Sequence, residues 1–152
     1  MSRIVIVTGG NRGIGAAIAN AFLAEGDQVA VFSRSGEAPP GCHGFVCDVA
    51  STESVEAAFD AVENSLGAAE VVIANAGITK DTLLLRMSDD DIDTVLNTNL
   101  FGSLRVVRRA AKSMIKQRTG RIIFIGSVVG LLGSAGQVNY AASKSALVGA
   151  AR

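Results

Sequence analysis

Three polar side chains late in the sequence have types and spacing that suit acid–base chemistry: Ser127, Tyr140 and Lys144. Tyr140 and Lys144 are at positions i and i+4, so they share one face of a helix. A free phenol has a pKa of about 10, and a neighbouring ammonium lowers that value because it favours the phenolate. A serine hydroxyl at the end of an apolar run can hold a carbonyl oxygen while hydride reaches the carbon. Together the three residues predict reduction of a carbonyl group with protonation of its oxygen.

A glycine-rich turn between Thr8 and Gly15 indicates a binding site for the cofactor that such a reduction needs. Its spacing is T-G-x-x-x-G-x-G, and it joins a short apolar run to a helical pattern. Glycine lets the backbone approach a pyrophosphate, and the helix N-terminus then faces the negative charge. A tight strand-to-helix connection without a ligand is the alternative, but the position at the first such junction favours a nucleotide site. The candidate residues are Gly9, Asn11, Arg12, Gly13, Ile14 and Gly15.

The end of the second apolar run selects between the two nicotinamide dinucleotides. An acidic residue about 20 positions beyond the glycine turn would bind a ribose 2′-hydroxyl, but Ser33-Arg34-Ser35 has no carboxylate before Glu37. Arg12 and Arg34 can flank a 2′-phosphate, and either serine can donate a hydrogen bond to it. We therefore expect NADPH; the alternative is that the arginines are ordinary surface charges.

Two further polar segments follow the third and fourth apolar runs, Asp48-Val49 and Asn75-Ala76-Gly77. Ligands of open α/β sheets bind outside the carboxyl ends of the strands, which makes both segments candidates for cofactor binding. Asp48 is a candidate partner of the adenine amino group. Asn75 either contributes to the ligand site or caps local backbone.

The elements that must position these residues alternate regularly between strand and helix. This alternation predicts parallel strands, right-handed crossovers and helices on both faces, which is a doubly wound α/β sheet in one domain spanning residues 1–152. The long helix carries the apolar stripe Leu104, Val107, Ala111, Met114 and Ile115, and Gly102 marks a bend or a close contact. The predicted strands are 4–7, 29–32, 44–47, 71–74 and 122–125, and the predicted helices are 13–25, 52–66, about 88–118 and 139 onward.

Composition argues against several other functions. Fourteen basic and 14 acidic residues give a formal net charge of +0, and one tyrosine with no tryptophan offers little for base stacking, so we expect no nucleic-acid partner. No apolar run is long enough to span a bilayer, so we expect a cytoplasmic protein without a membrane partner. Cys42 and Cys47 are predicted to be a loop thiol and a small core residue, and His43 a loop histidine. We expect no metal site, because these three residues are too few to form one.

The chain resembles the short-chain dehydrogenase/reductase family along its whole length. The motifs that carry the resemblance occur in the order typical of that family: 8–15, Asn75-Ala76-Gly77, Asn99, Ser127 and Tyr140-x-x-x-Lys144. The resemblance implies that Tyr140 is the general acid and also lines the cofactor site, that Ser127 polarises the carbonyl, and that Lys144 binds the ribose and tunes the tyrosine. It also implies that Asn99 organises a water in a proton relay.

Within that family, four stretches resemble the bacterial 3-oxoacyl-acyl carrier protein reductases of fatty-acid synthesis: 83–87, 120–123, 125–130 and 137–144. Asn11-Arg12 resembles the actinobacterial mycolate-pathway members. The resemblance implies reduction of an acyl thioester on acyl carrier protein, with Lys116 and Arg118 docking the acidic carrier. Charges that complement a helix C-terminus are the alternative for this pair. Other short-chain reductases, acting on acetoacetyl-CoA, a sugar, a steroid or a quinone, stay open, as does an inactive dinucleotide-binding fragment.

The family resemblance also implies a longer protein. Its members have a seven-stranded Rossmann-type sheet, of which these residues supply five strands, and a substrate lid beyond residue 152. We expect the isolated residues 1–152 to be poorly stable and weakly active or inactive. The family is usually a homotetramer, and the stripe from Leu104 to Ile115 is expected to form part of one interface.

Overall fold

The computed structural model describes residues 2–152, whose strands form one parallel five-stranded sheet. The strands are β1 (Ile4–Thr8), β2 (Gln28–Ser33), β3 (His43–Val46), β4 (Val71–Ala74) and β5 (Arg121–Phe124). The order across the sheet is β3-β2-β1-β4-β5. The three central strands are almost entirely buried, as expected for strands covered on both faces, whereas the two edge strands β3 and β5 are largely exposed.

Helices cover the sheet on both sides, which confirms the doubly wound α/β prediction. Val5 and Val7 of β1 pack on one side with Ala19 of the first helix. Ile6, between them, packs on the other side with Phe59 and Val106 of two later helices. The helices are α1 (Gly13–Ala24), α2 (Thr52–Ser65), α3 (Asp89–Leu96), α4 (Gly102–Gln117), α5 (Val129–Leu132) and α6 (Val138–Ala151).

The strand order reverses at β1, because the chain runs outward through β2 and β3 and then returns to β4 on the other side. Such a reversal leaves a crevice at the carboxyl ends of β1 and β4, where α/β proteins bind ligands. The glycine turn follows β1, and Asn75-Ala76-Gly77 follows β4, so both border this crevice.

The region between β4 and β5 differs most from its sequence-based prediction. The long helix is interrupted by a π-helical segment, Asn97–Phe101, which separates α3 from α4. Gly102 is the first residue of α4 after the π-helical segment. It also marks a close contact, since a Cβ there would lie 2.8 Å from Cγ2 of Val49. The stripe predicted for α4 is buried only at Met114: Ile115 is 76% exposed, whereas Val106 and Ala110, which lie outside the stripe, are buried. Apolar spacing identified the helix but not the side that faces the sheet.

One smaller prediction was also wrong, and one short helix was not predicted. His43 begins strand β3 rather than lying in a loop, because its backbone pairs with Ala30 of β2. The short helix α5 had no prediction, since four residues are too few to show a helical period. Between residues 2 and 152 the structure contains no helix with the length and apolar character needed to cross a membrane.

Replacement of Asp27 by Asn is expected to destabilise the protein at neutral pH but not in strong acid. The Asp27 carboxylate, 3% exposed, accepts hydrogen bonds from Arg3, at 3.0 Å from its backbone nitrogen and 2.6 Å from Nη2. This hydrogen bonding holds the pKa of Asp27 below its usual value. The stabilisation is therefore complete well above the unfolded value of about 3.9 and is lost as pH falls through the folded pKa.

Urea unfolding of the wild type and Asp27→Asn at a series of pH values measures this dependence. The difference between their free energies of unfolding should shrink steadily as the pH falls from about 6 towards 3, around the ordinary carboxyl pKa. A difference that stays constant over that range would mean that the carboxylate charge is not what stabilises the β1–β2 edge.

Candidate active site

Thr8 joins the ends of the two central strands. Its Oγ1 accepts hydrogen bonds from the backbone nitrogens of Asn75 and Ala76, both at 3.0 Å, and donates to the carbonyl of Ile73 at 3.4 Å. The Asn75 side chain also bonds back to the end of β1: its Nδ2 donates to the carbonyl oxygens of Thr8 at 2.9 Å and Gly9 at 3.2 Å. Asn75 therefore caps local backbone, which was one of the two roles left open for it.

The glycine turn is tightly packed: Gly15 has no room for a side chain, and one on Gly9 would be crowded and strained. Gly9 has a φ of +63°, and its nitrogen donates to the carbonyl of Phe32 at 2.7 Å. A Cβ on Gly15 would lie 2.2 Å from the Gly9 oxygen and 2.5 Å from Nδ2 of Asn75. The first turn of α1 therefore lies directly against Gly9. Around it Arg12, Gly13 and Ile14 are exposed and Asn11 is half-buried.

The segment after β2 is held by its own serines. Ser33, which is buried, donates from Oγ to the Glu37 carbonyl at 3.0 Å, and Ser35 donates to the Glu37 carboxylate at 3.2 Å. Both hydroxyls that sequence reasoning offered to a 2′-phosphate are thus engaged within the loop. Arg34 is exposed, and so is Asp48, whose Oδ1 accepts from the nitrogen of Ala50 at 2.9 Å.

Asn99 is completely buried and binds the segment that follows β4. Its Oδ1 accepts from the Ile78 nitrogen at 2.8 Å, and its Nδ2 donates to the Ile78 carbonyl at 3.0 Å. A Cβ on Gly77 would lie 3.2 Å from Oδ1 of Asn99 and 3.6 Å from Nζ of Lys144. The end of β4 therefore lies between the glycine turn, since Asn75 bonds to Gly9, and the acid–base residues, since Gly77 lies beside Lys144.

Helix α6 carries Tyr140 and Lys144 on one face, as predicted. Lys144 is 5% exposed, and its Nζ lies 2.8 Å from the carbonyl oxygen of Ile125, to which it donates, and 5.8 Å from the centre of the Tyr140 ring. Burial lowers the pKa of Lys144. An ammonium with few competing partners interacts strongly with a neighbouring phenol oxygen, since water screens it little.

Ser127 lies beyond β5, at the start of the turn that leads into α5. Its Oγ accepts a hydrogen bond from the nitrogen of Val129 at 3.2 Å, so this contact leaves the hydroxyl proton available. Helix α5 packs closely on α6, because a Cβ on Gly130 would lie 2.9 Å from the nitrogen of Ser145. The turn that carries Ser127 is therefore fixed against the helix that carries Tyr140.

Sequence reasoning missed two buried polar residues on α6. Asn139 donates from Nδ2 to the carbonyl oxygens of Lys80 at 3.1 Å and Asp91 at 3.2 Å, which anchors the start of the helix. Ser143 contacts Asn99. Asn139 and Ser143 belong to the quoted stretch 137–144, but no spacing rule distinguishes them from surface residues. Thr8 carried a signal, as the first residue of the glycine motif, but not one that revealed its link to β4.

The predicted docking residues lie apart from this site, at the carboxyl end of α4. Lys116 and Arg118 are both exposed. Arg118 ends the helix in the left-handed conformation, with a φ of +55°. The pair thus has the exposure that a protein-docking role needs, and it also has the position of charges that complement a helix C-terminus.

Three known proteins similar to this chain carry the same activity in their names. It is 52% identical over 152 residues to the 3-oxoacyl-[acyl-carrier-protein] reductase MabA of Mycobacterium avium, in an alignment covering 100% of this chain and 60% of that protein. It is 40% identical over 158 residues to the FabG reductase of the same description from Vibrio harveyi, covering 97% and 64%. A 3-oxoacyl-[acyl-carrier-protein] reductase of Bos taurus is 40% identical over 160 residues, covering 100% and 68%.

The chain therefore spans about three fifths of the length of the mycobacterial and Vibrio relatives. It also matches the family described as short chain dehydrogenase over residues 3–152. That match includes every strand of the sheet, the glycine turn and the acid–base residues of α6. Because it runs through nearly all of the residues from which the fold and the site are built, the chain belongs to the short-chain dehydrogenase family.

Proposed function

We propose that these residues form the cofactor-binding and catalytic part of an NADPH-dependent reductase that converts a 3-oxoacyl thioester on acyl carrier protein to the 3-hydroxyacyl form in fatty-acid synthesis. The observation that carries the proposal is the position of the β4 end between the glycine turn, to which Asn75 hydrogen-bonds, and Lys144, which lies beside Gly77. This arrangement suits transfer of hydride and proton to one carbonyl group. The names of the relatives support the choice of substrate.

The residues at the crevice fit a dinucleotide. Gly15 leaves no room for a side chain, and Gly9 leaves little, where a pyrophosphate would approach the start of α1. The exposed Arg12 and Arg34 supply positive charge for a 2′-phosphate, which favours NADPH. We propose that other residues also line the cofactor site, with Asp48 as the partner of the adenine amino group. They are Asn11, Gly13, Ile14, Val49, Asn75, Ala76 and Gly77. When bound, NADPH supplies the hydride.

Three side chains of this chain would handle the substrate oxygen and its proton. Ser127 accepts from Val129 and keeps its own proton for the carbonyl oxygen of the substrate. Tyr140 gives its phenolic proton to that oxygen as the alcohol forms. Lys144, desolvated and fixed by the carbonyl of Ile125, stabilises the phenolate that remains and binds the ribose.

Asn99 contributes to this proton transfer without touching the substrate. Its amide is engaged by Ile78 on both its oxygen and its nitrogen. We propose that it organises the relay water by fixing the backbone beside Gly77 and Lys144, rather than by offering its amide group to that water.

We propose further that the acidic carrier protein docks at Lys116 and Arg118 and that the enzyme is a cytoplasmic homotetramer. The exposure of Leu104 and Ile115 on the outer face of α4 supports an interface there. Charge on Lys116 and Arg118 supports attraction of an acidic partner, since opposite charges speed encounter.

The test is consumption of NADPH by the purified protein, prepared as its complete gene product, with a short 3-oxoacyl thioester carried by acyl carrier protein. We expect turnover with NADPH and much slower turnover with NADH. Replacing Arg34 by Ala should raise the KM for NADPH about tenfold or more, the loss expected for a charge-assisted contact, and leave the KM for NADH unchanged.

Each failure has a defined meaning. Equal use of NADH and NADPH, with no effect of Arg34→Ala, would contradict the cofactor assignment. Reduction of acetoacetyl-CoA, sugars, steroids or quinones in preference to the acyl carrier protein substrate would identify another short-chain reductase. Binding of NADPH without turnover of any of these carbonyl compounds would identify a dinucleotide-binding protein that is not a reductase.

A further inference from the structure

The hydroxyl of Ser143 lies fully buried between two of the residues proposed for catalysis. Its Oγ is 3.0 Å from Nδ2 of Asn99 and 2.7 Å from the backbone carbonyl oxygen of Tyr140. Asn99 belongs to the π-helical segment before α4, whereas Ser143 and Tyr140 belong to α6. One hydroxyl therefore bridges two elements that are far apart in sequence.

The direction of these hydrogen bonds is determined by the groups involved. A carbonyl oxygen only accepts hydrogen bonds, so the hydroxyl of Ser143 donates its single proton to the backbone carbonyl of Tyr140. Its oxygen is then an acceptor, and Asn99 donates one N–H to it and the other to the carbonyl of Ile78. Both amide protons of Asn99 are thus engaged, and the serine oxygen is the only acceptor that ties Asn99 to α6 among the hydrogen bonds of the described residues.

A serine inside a helix often bonds to the carbonyl of the preceding turn, so this contact alone would be unremarkable. Two observations separate Ser143 from that ordinary case. It is completely buried and takes up a hydrogen bond from Asn99, which is also completely buried. Ser145, on the same helix, is exposed. A buried polar group retained among well-packed residues requires its partners, because an unpaired one is costly.

The bridge acts on the turn of α6 that carries the proposed acid. Lys144 is fixed separately by the carbonyl of Ile125, and Asn139 fixes the start of the helix through Lys80 and Asp91. Only the contact with Ser143 connects the backbone of Tyr140 to Asn99.

We propose that Ser143 is a positioning residue: by joining Asn99 to the carbonyl of Tyr140, its hydroxyl holds the phenol in register with Lys144 for proton transfer. The proposal rests on the function proposed above. Ser143 itself touches neither substrate nor cofactor in this scheme, and its effect on turnover passes through Tyr140.

The test compares Ser143→Ala with Ser145→Ala, a matched change at the exposed serine of the same helix. In the complete gene product, Ser143→Ala should lower kcat about tenfold, because one buried N–H of Asn99 loses its acceptor and the turn relaxes. The KM for the 3-oxoacyl thioester and the Kd for NADPH should change less than about twofold. Ser145→Ala should match the wild type.

A double-mutant cycle distinguishes positioning from general stability. In a Tyr140→Phe background, Ser143→Ala should cause no further loss of kcat, because the group it positions is already absent. An equal loss in both backgrounds would overturn the proposal, as would parallel changes of kcat, KM and NADPH affinity. Ser143→Cys is close in size but a poorer hydrogen-bond donor, so its kcat should fall between those of the wild type and Ser143→Ala. Wild-type kcat in both Ser143 variants would also overturn the proposal.

One readout does not depend on the substrate. The near-ultraviolet circular dichroism of Tyr140, taken as the difference between each protein and its Tyr140→Phe counterpart, reports how rigidly this ring is held. Its amplitude should fall in Ser143→Ala and stay at the wild-type value in Ser145→Ala, even if no 3-oxoacyl thioester is reduced. An unchanged amplitude in Ser143→Ala overturns the positioning role, whereas absent turnover with a reduced amplitude contradicts only the proposed function.

Discussion

Replacing Tyr140 by Phe is expected to lower kcat by about 10²–10⁴-fold, the usual contribution of a positioned general acid. The change removes one oxygen and keeps the ring, so packing of α6 against its neighbours is preserved. Within residues 1–152 this is the only tyrosine, and no histidine other than His43 of β3 is present to take over the proton. Lys144 is engaged by the carbonyl of Ile125 and lies near the ring rather than replacing the phenol.

Steady-state turnover with saturating NADPH measures this loss, and fluorescence titration measures cofactor affinity in the same samples. Affinity and the melting temperature should stay close to wild-type values, because the glycine turn lies on another element. Turnover of the variant within about tenfold of the wild type would contradict the role of Tyr140, since the smallest effect expected of general acid catalysis is larger. Loss of cofactor binding together with turnover would assign Tyr140 to the binding site instead.

The sheet was predictable from the sequence because its signals are local and repeated. Each strand is a short apolar run, each is followed by a helical pattern, and the right-handed crossover rule leaves few arrangements for them. The same logic predicted that residues after β1 and β4 would border one crevice. The hydrogen bonds from Thr8 to Asn75 and Ala76 show how closely these two strand ends are joined.

Contacts between elements were less predictable, because one sequence period is compatible with several packings. The apolar stripe on α4 identified a helix, yet the face against the sheet includes Arg109, whose guanidinium bonds to Asp60 and Glu63 of α2. An arginine paired with carboxylates can occupy a buried face, and hydrophobic spacing gives no sign of it. Ile115 consequently faces outward.

The candidate site shows the same division. Motif order was enough to select Ser127, Tyr140 and Lys144, because each has a side chain that suits one step of the chemistry. Ser143 and Asn139 have no chemical signature of their own and become notable only when their buried partners are known. The roles of Ser127, Tyr140, Lys144 and Ser143 in turnover stay predictions until their variants are measured.

Replacing Gly15 by Ala is expected to abolish dinucleotide binding, with a loss of affinity of about 100-fold or more. The added Cβ would lie 2.2 Å from the Gly9 oxygen, which is backbone, and 2.5 Å from Nδ2 of Asn75. Relief requires α1 to move away from the turn, and overpacking of this kind costs about 1–3 kcal/mol even before a ligand is considered. Displacement of Asn75 would also break its hydrogen bonds to Thr8 and Gly9, which hold the turn in shape.

Gly10→Ala is the matched control, because it adds the same methyl group to the same turn. There the new Cβ would lie 3.0 Å from two methyl groups of Val31 and 3.1 Å from the backbone oxygen of Val7, so its neighbours need to give way by only a few tenths of an ångström, far less than the 2.2 Å approach at Gly15 requires. Calorimetric titration with NADPH and thermal unfolding of both variants should therefore show a small effect for Gly10→Ala and a large one for Gly15→Ala. Equal affinities in the two variants would mean that the close approach of α1 to Gly9 does not shape the cofactor site, and the crevice between β1 and β4 would lose its main support as the place where the dinucleotide binds.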